Sequence, residues 1–348
     1  MIIKLCKGYR QNNKIFFPLW VDNSNYEFFF EYNKNCNIEI NSEGLASIFY
    51  CIAKYNNIEL IIEDEIDDVF CSNLVFIDQN INKFSPKYDK NITYKKICKN
   101  KKHNNKSIGT ITFGLDSLYT TLLGNPSDLI YVIGMDINYE LSTNKWIEKN
   151  INYLKEKCKY YFKNKKLIVI KSNVTILLTK IQKNHNLNCE YTYLTNGFAI
   201  YSCVINMLDY NKVLISGPGF NKNDNLGHIN FVDNGIGGST NFFKIEYYDN
   251  NKINKIKFIN NYDKSLLNNL RICINYGNCK QLNCLKCRKC IRMSLILSIL
   301  NFKSNLINFS SDEIKLHLDK LSKNKTYLYE KQFIREILEL FKEKNIIK

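Results

Sequence analysis

The sequence predicts an α/β protein: a parallel-sheet, Rossmann-like domain, preceded by an N-terminal α/β domain and followed by a helical, metal-braced segment. Three observations predict it. From residue 107 onward, short β-branched runs alternate with amphipathic segments, as in parallel sheets with helices on both faces. The first of these runs, GTITFGLDSLYTTLL at 109–123, passes directly from strand to glycine turn to helix, which is how chains build anion sites. Near the end, Cys273, Cys279, Cys284, Cys287 and Cys290 crowd together.

The 348 residues, 45% of them hydrophobic, suffice for two or three domains, each with its own core. The expected divisions are 1–105, 106–270 and 271–348. The formal net charge of +16 fits a nucleic-acid partner. It fits coding bias better, because the lysines are spread along the chain and Asn and Ile are equally pervasive. No apolar run reaches the roughly 18 residues of a spanning helix, and the first ten residues lack the apolar core of a signal peptide. Most of the thirteen cysteines are scattered singly, as suits a reducing compartment. A cytoplasmic protein without membrane attachment is expected.

Taken in order, 16–22 and 26–32 read as strands from their aromatic and β-branched content. Ser42-Glu43-Gly44 starts a helix to about residue 55, with Leu45, Ile48, Phe49, Ile52 and Ala53 at helical spacing. Residues 58–62 read as a strand, and 64–73 as a short acidic helix. The Lys/Asn-rich run 91–106 reads as the domain boundary. Beyond it, strands are expected at 108–113, 129–135, 166–170 and 212–216, and helices at 117–123, 144–164 and 196–208. Residues 218–265 read as irregular. Two amphipathic helices, from Ser311 to about residue 323 and over 327–344, close the chain and are expected to pack on its own core.

Ligands of open parallel sheets sit at the carboxyl ends of the strands, where the strand order reverses. Asp116 and Ser117 follow the first expected strand, Asp136 the second, and Ser172 and Asn173 the third, while residues 216–219 close the fourth. A plainer reading of 109–123 alone is an ordinary strand-to-helix corner capped by Asp-Ser. The later stretch GHINFVDNGIGGST places His228 in a loop rich in turn residues, where functional groups concentrate; such a histidine also serves merely to fix its loop. Cys284-x2-Cys287-x2-Cys290 offers three thiolates, and either Cys273 or Cys279 the fourth. Zinc takes four thiolates in a tetrahedron. An iron–sulfur cluster, with similar spacing needs, is the alternative.

These residues together resemble the PP-loop, or N-type ATP pyrophosphatase, superfamily. Its hallmark S-G-G-x-D-S is matched by Thr112-Phe113-Gly114-Leu115-Asp116-Ser117. Within it the chain more closely resembles 7-cyano-7-deazaguanine synthases of the queuosine pathway, and more closely still bacterial proteins that place an extra N-terminal domain before the PP-loop domain. Gly134-Met135-Asp136-Ile137, Ser172-Asn173, Gly227-His228, Leu270-Arg271-Ile272-Cys273 and Cys284 to Cys290 carry the likeness across roughly residues 40–300. One departure stands out: Phe113 replaces a glycine that lets the backbone curl close to a phosphate, and is expected to reshape the cradle.

The resemblance implies an enzyme that splits ATP to AMP and pyrophosphate, activating a carboxylate or carbonyl for a nitrogen nucleophile. It implies ATP, Mg²⁺ and Zn²⁺ as cofactors and Cys273 as the fourth metal ligand. Thr112 to Ser117 would hold the pyrophosphate, with Asp116 ordering the loop or Mg²⁺. Asp136 and Asn173 would read adenine, ribose or substrate, and His228 would assist proton transfer. The substrate would be a small molecule or modified base. Alternatives are a tRNA- or protein-modifying enzyme, including a sulfur transferase, and a catalytically impaired nucleotide-binding protein. A homodimer is compatible with all of them.

Overall fold

The computed structural model of the chain describes residues 1–81, 90–98, 106–135, 137, 139–187, 196–216, 242–246, 251–273, 283–302, 304–306, 312–313 and 316. A β-meander opens the chain: β1 (Ile2–Leu5), β2 (Tyr9–Gln11), β3 (Lys14–Val21) and β4 (Ser24–Glu31). Alternation in β3 puts Ile15, Phe17, Leu19 and Val21 into the core, as a half-buried strand requires. Helix α1 (Glu43–Asn56) crosses one sheet face, followed by β5 (Glu59–Asp67), α2 (Asp68–Ile81) and β6 (Ile92–Ile97). The next unit alternates strand and helix: β7 (Ser107–Thr110), α3 (Leu115–Gly124), β8 (Asp128–Ile133), α4 (Asn144–Tyr161), β9 (Leu167–Ser172), α5 (Val174–Asn184), α6 (Asn196–Val204) and β10 (Lys212–Ser216). Strand β11 (Phe242–Glu246), α7 (Lys252–Asp263), a 3-10 turn at Lys264–Asn269 and α8 (Arg288–Ile299) complete it.

All these strands join one 11-stranded mixed sheet in the order β11-β10-β7-β8-β9-β4-β3-β1-β5-β6, with β2 paired to β3. The β11 to β9 portion is parallel throughout, as are β1-β5-β6, and the antiparallel β1-β3-β4 meander lies between them. The seam is β4 against β9, with Phe30 opposite Ser172 and Glu31 opposite Lys171. One apolar core buries Ile108, Ile130, Ile168 and Val213 together with α1 and α6. The other buries Ile111, Leu129 and Tyr131 against α4, α7 and α8. This double-faced coverage is what a buried parallel sheet demands.

Several expected elements are corrected. The acidic stretch 64–73 is not one helix. Residues up to Asp67 prolong β5, because Ile62 and Ile66 keep facing the core while Glu63 and Glu65 face out, and α2 starts only at Asp68. The polar run 91–106 contains β6, an edge strand whose Lys95 contacts Glu65 of β5; charged edge strands are how sheets avoid unwanted pairing. The irregular reading of 218–265 gives way at β11 and α7. Both C-terminal helices lie outside the described residues, except for positions 312, 313 and 316, which are helical. Among the described residues, no helix is long and apolar enough to cross a membrane.

Candidate anion loop and four-thiolate centre

Strand β7 is central in the parallel portion. The chain leaves it for β8 on one side and later reaches β10 on the other. The order therefore reverses at the carboxyl end of β7, where open α/β sheets form their ligand crevice. Residues 111–114 link β7 to α3 at that point. Gly114 is the N-cap of α3, in extended conformation and without a side-chain cap. Among the described residues, no acceptor bonds to the amide N–H groups of Leu115, Asp116 or Ser117. These are the donors a helix start leaves for an anion.

The loop holds its own shape. Thr112 Oγ1 lies 3.0 Å from Ser117 Oγ and accepts from Gly114 N at 3.1 Å. Ser117 Oγ also accepts from Thr112 N at 3.2 Å and donates to the Gly114 carbonyl at 3.1 Å. Phe113 has φ 56°, in the left-handed region, which a side chain occupies at about 1–2 kcal/mol. Its backbone thus follows a path that glycine favours. Its ring, 0% exposed, turns into the core and meets Tyr153, Tyr161 and Phe162 at 6.1, 6.3 and 6.2 Å. The side chain is taken away from the cradle rather than into it.

Asp116 lies at the head of α3 between two lysines. Lys252 Nζ donates to its two oxygens at 3.0 and 2.9 Å, and Lys255 Nζ to Oδ1 at 2.6 Å. Burial pushes the carboxyl up, but the two ammonium groups outweigh it and hold the group down at about 2. Both oxygens are thus taken by ammonium groups, an arrangement that does not offer Asp116 as a Mg²⁺ ligand. The trio carries one net positive charge beside the uncapped amides. Because the folded value lies below the usual one, the stabilisation is complete above about pH 4 and drains as pH falls towards about 2. The stability gap between the protein and its Asp116→Asn variant should therefore close over that window in acid titrations; a gap independent of pH would dissociate Asp116 from the lysines.

The other expected strand-end residues fare differently. The side-chain amide of Asn173 is engaged by β4. Its Oδ1 accepts from Phe29 N and its Nδ2 donates to the Glu27 carbonyl, both at 2.8 Å, extending the β4–β9 seam. Gly134, which ends β8, has φ 104°, and a Cβ there would stand 1.8 Å from the Ser172 carbonyl, so only glycine lets the ends of β8 and β9 approach. Asp136, His228 and Cys279 lie outside the described residues.

Cys273, Cys284, Cys287 and Cys290 converge, with every Sγ within 4.8 Å of the others. Cys284 and Cys290 are 4.0 Å apart. Zinc–sulfur bonds of about 2.3 Å set tetrahedral S–S separations of about 3.8 Å, so the four thiols fit such an ion with little movement. The turn after Cys284 runs through Leu285 at φ 56°, which directs the amides of Lys286 and Cys287 at Cys284 Sγ, at 3.5 and 3.2 Å. Burial raises the Cys284 thiol, but these amides and the thiols of Cys273 and Cys287 outweigh it and hold it at about 6. Burial pushes Cys290 well up. Asn283 fixes the approach of Cys273: its Oδ1 accepts from Ile272 N and Cys273 N at 2.9 and 3.1 Å, and its Nδ2 donates to the Leu270 carbonyl at 2.7 Å.

Lys252, Lys255 and Asn283 were not singled out from sequence. The Asn251 cap, which accepts from Ile253 N and Asn254 N, followed by two lysines three apart on α7, is the signal that marks the first two. It is hard to notice among 49 Lys and Arg residues.

Fold and site together define an α/β protein with a mixed, largely parallel sheet and a four-cysteine cluster able to hold a metal ion. Comparison of the chain with models of known families, with curated proteins and with solved structures finds no match.

Proposed function

We propose that the protein is an ATP-dependent adenylating enzyme of the PP-loop kind. A substrate carboxylate oxygen would attack the α-phosphorus of ATP, the bond to the β-phosphate would break, and pyrophosphate would leave. A nitrogen nucleophile would then attack the acyl carbon and release AMP. The observation that carries this reading is the uncapped start of α3 at the switch point of the sheet, beside Lys252 and Lys255. There the amides of Leu115, Asp116 and Ser117 would receive the departing pyrophosphate. The hydroxyls of Thr112 and Ser117, bonded to each other, keep the loop in the shape that presents those amides. Lys252, at the first turn of α7 and the more exposed of the two lysines, would share its charge between Asp116 and a phosphate. Mg²⁺ would arrive with the nucleotide and neutralise its phosphates. A zinc ion on four thiolates leaves no position open for substrate and would brace the fold.

A nucleotide-binding protein without turnover is the second reading, raised by Phe113 in place of a hallmark glycine. The glycine-like φ of Phe113 and its inward ring favour the enzyme. The test combines two measurements. Mass spectrometry of ATP incubated with candidate carboxylates and ammonia should show AMP and a mass-shifted product. Lys252→Met should weaken inorganic pyrophosphate binding by calorimetry about tenfold or more, as expected for loss of a charge-assisted bond. Unchanged affinity would remove this loop from the role, and binding without AMP formation would favour the second reading.

A further inference from the structure

The two centres are joined by four residues. Leu270 to Cys273 runs from the loop after β7 to the thiolate cluster, and Arg271 N donates to the Phe113 carbonyl at 2.7 Å. Two positions later Cys273 contributes its sulfur to the cluster. Between them, the amide bracket of Asn283 fixes Leu270, Ile272 and Cys273.

The Phe113 ring is held from the same side. Tyr153, which packs on it edge-on, donates to the Asn269 carbonyl at 2.8 Å. Tyr161, also against the ring, lies 2.9 Å from Ser265 Oγ and accepts from Asn269 Nδ2 at 2.8 Å. Arg271 itself is buried, its guanidinium 5.5 Å over the Tyr131 ring of β8 and within 3.5 Å of Asn150 Oδ1 of α4. A left-handed phenylalanine persists only where its surroundings over-determine it. Here the backbone anchor is Arg271 and much of the ring cage is tied to residues 265–269, the stretch that leads directly into the cluster.

We propose that metal occupancy of the four-thiolate site sets the anion affinity of the loop 112–117 through residues 270–273. With metal bound, Cys273 is pinned, the Arg271 amide is held against Phe113, and the amides of α3 stay presented. Without it, Cys273 loses its bond to the metal and keeps only the weaker thiol contact with Cys284 beside its backbone bond to Asn283, the Arg271–Phe113 bond opens more often, and the strained residue relaxes. The sheet beneath, closed by its own ladders, stays folded. This inference rests on the proposed anion role of the loop, and the experiment separates the two.

The test is amide hydrogen exchange alongside pyrophosphate calorimetry, on zinc-loaded protein, on the same protein after chelation, and after zinc is returned. Chelation should open the Arg271 amide locally, so that it exchanges at least about tenfold faster than the amides of β8 and β9, whose protection falls only with the shared loss of global stability. It should weaken pyrophosphate binding by a similar factor, and zinc should restore both. Asn283→Ala, which keeps all four thiols, should speed Arg271 exchange with zinc content unchanged. Unaltered Arg271 exchange on chelation would overturn the proposal, as would Arg271 exchange that merely keeps pace with β8 and β9, which would make the effect a general loss of stability with no local coupling. If Arg271 responds to metal but the loaded protein binds no pyrophosphate, the coupling stands and the anion role fails. If pyrophosphate binds equally with and without metal, the anion role stands and the coupling fails.

Discussion

Cys287→Ser should leave the protein without its metal and lower its thermal midpoint by about 4–7 °C, the shift expected for a loss of roughly 3–5 kcal/mol in a chain of 348 residues. The binding energy of a four-thiolate site is folding energy, because an unfolded chain offers no preformed cluster. Cys287 has two jobs at once. Its sulfur is one of the four, and it is the N-cap of α8, whose Leu295, Ile296 and Leu297 are buried in the core. Serine is nearly isosteric but offers a poor donor to zinc at neutral pH, so three thiolates would remain around an incomplete shell. The loss stays well below total unfolding because the sheet and both apolar layers do not depend on the cluster for closure. Metal analysis with thermal denaturation checks it. Absence of metal from the unmutated protein together with an unchanged midpoint in the variant would show that the four sulfurs meet for packing alone, and full zinc content in the variant would remove Cys287 from the ligand set.

The metal centre was legible because C-x2-C-x2-C keeps three sulfurs within seven residues by covalent spacing. The fourth ligand was not, since Cys273 and Cys279 both lie within loop reach; the likeness to a known spacing favoured Cys273, and the fold places it there. The alternating strands after residue 107 were legible because β8 and β9 are short apolar runs rich in Ile and Val, β8 buried along nearly its whole length and β9 at alternate positions. Legibility failed where burial is one-sided or weak. Strand β6 is lysine-bearing and only half covered, so nothing apolar announces it. The acidic end of β5 imitates a helix start, because carboxylates at a first turn and carboxylates on an exposed strand face look alike in one dimension. The loop itself was legible as strand, turn and helix, with the strand overrun to Phe113. The ladder ends at Thr110, and the turn that follows runs through a positive φ at Phe113, of which a phenylalanine gives no warning. The lysines at Asp116 and the bracket at Asn283 are contacts made across more than a hundred and about ten residues, beyond any local pattern.

Phe113 invites a comparison between two truncations. Phe113→Ala should destabilise the protein by about 3–5 kcal/mol, the usual loss when a fully buried phenylalanine leaves a cavity. The ring here has three aromatic neighbours that move little to fill its place. Alanine also keeps the cost of the left-handed φ. Phe113→Gly removes the same ring but relieves that strain, by about 1 kcal/mol relative to alanine. The stability order should therefore be phenylalanine, then glycine, then alanine, a reversal of the usual preference for alanine over glycine. Denaturant titration of the three proteins reads it directly, and alanine ranking above glycine would contradict a positive φ at this position. Pyrophosphate affinity should follow the backbone more than the ring. The glycine variant keeps the path on which the amides of Leu115, Asp116 and Ser117 are presented, so it should bind more tightly than the alanine variant despite lacking the same contacts. A phenylalanine in a glycine's place is then a different way of holding one backbone shape, by burying a side chain that levers the loop into the left-handed region instead of permitting it.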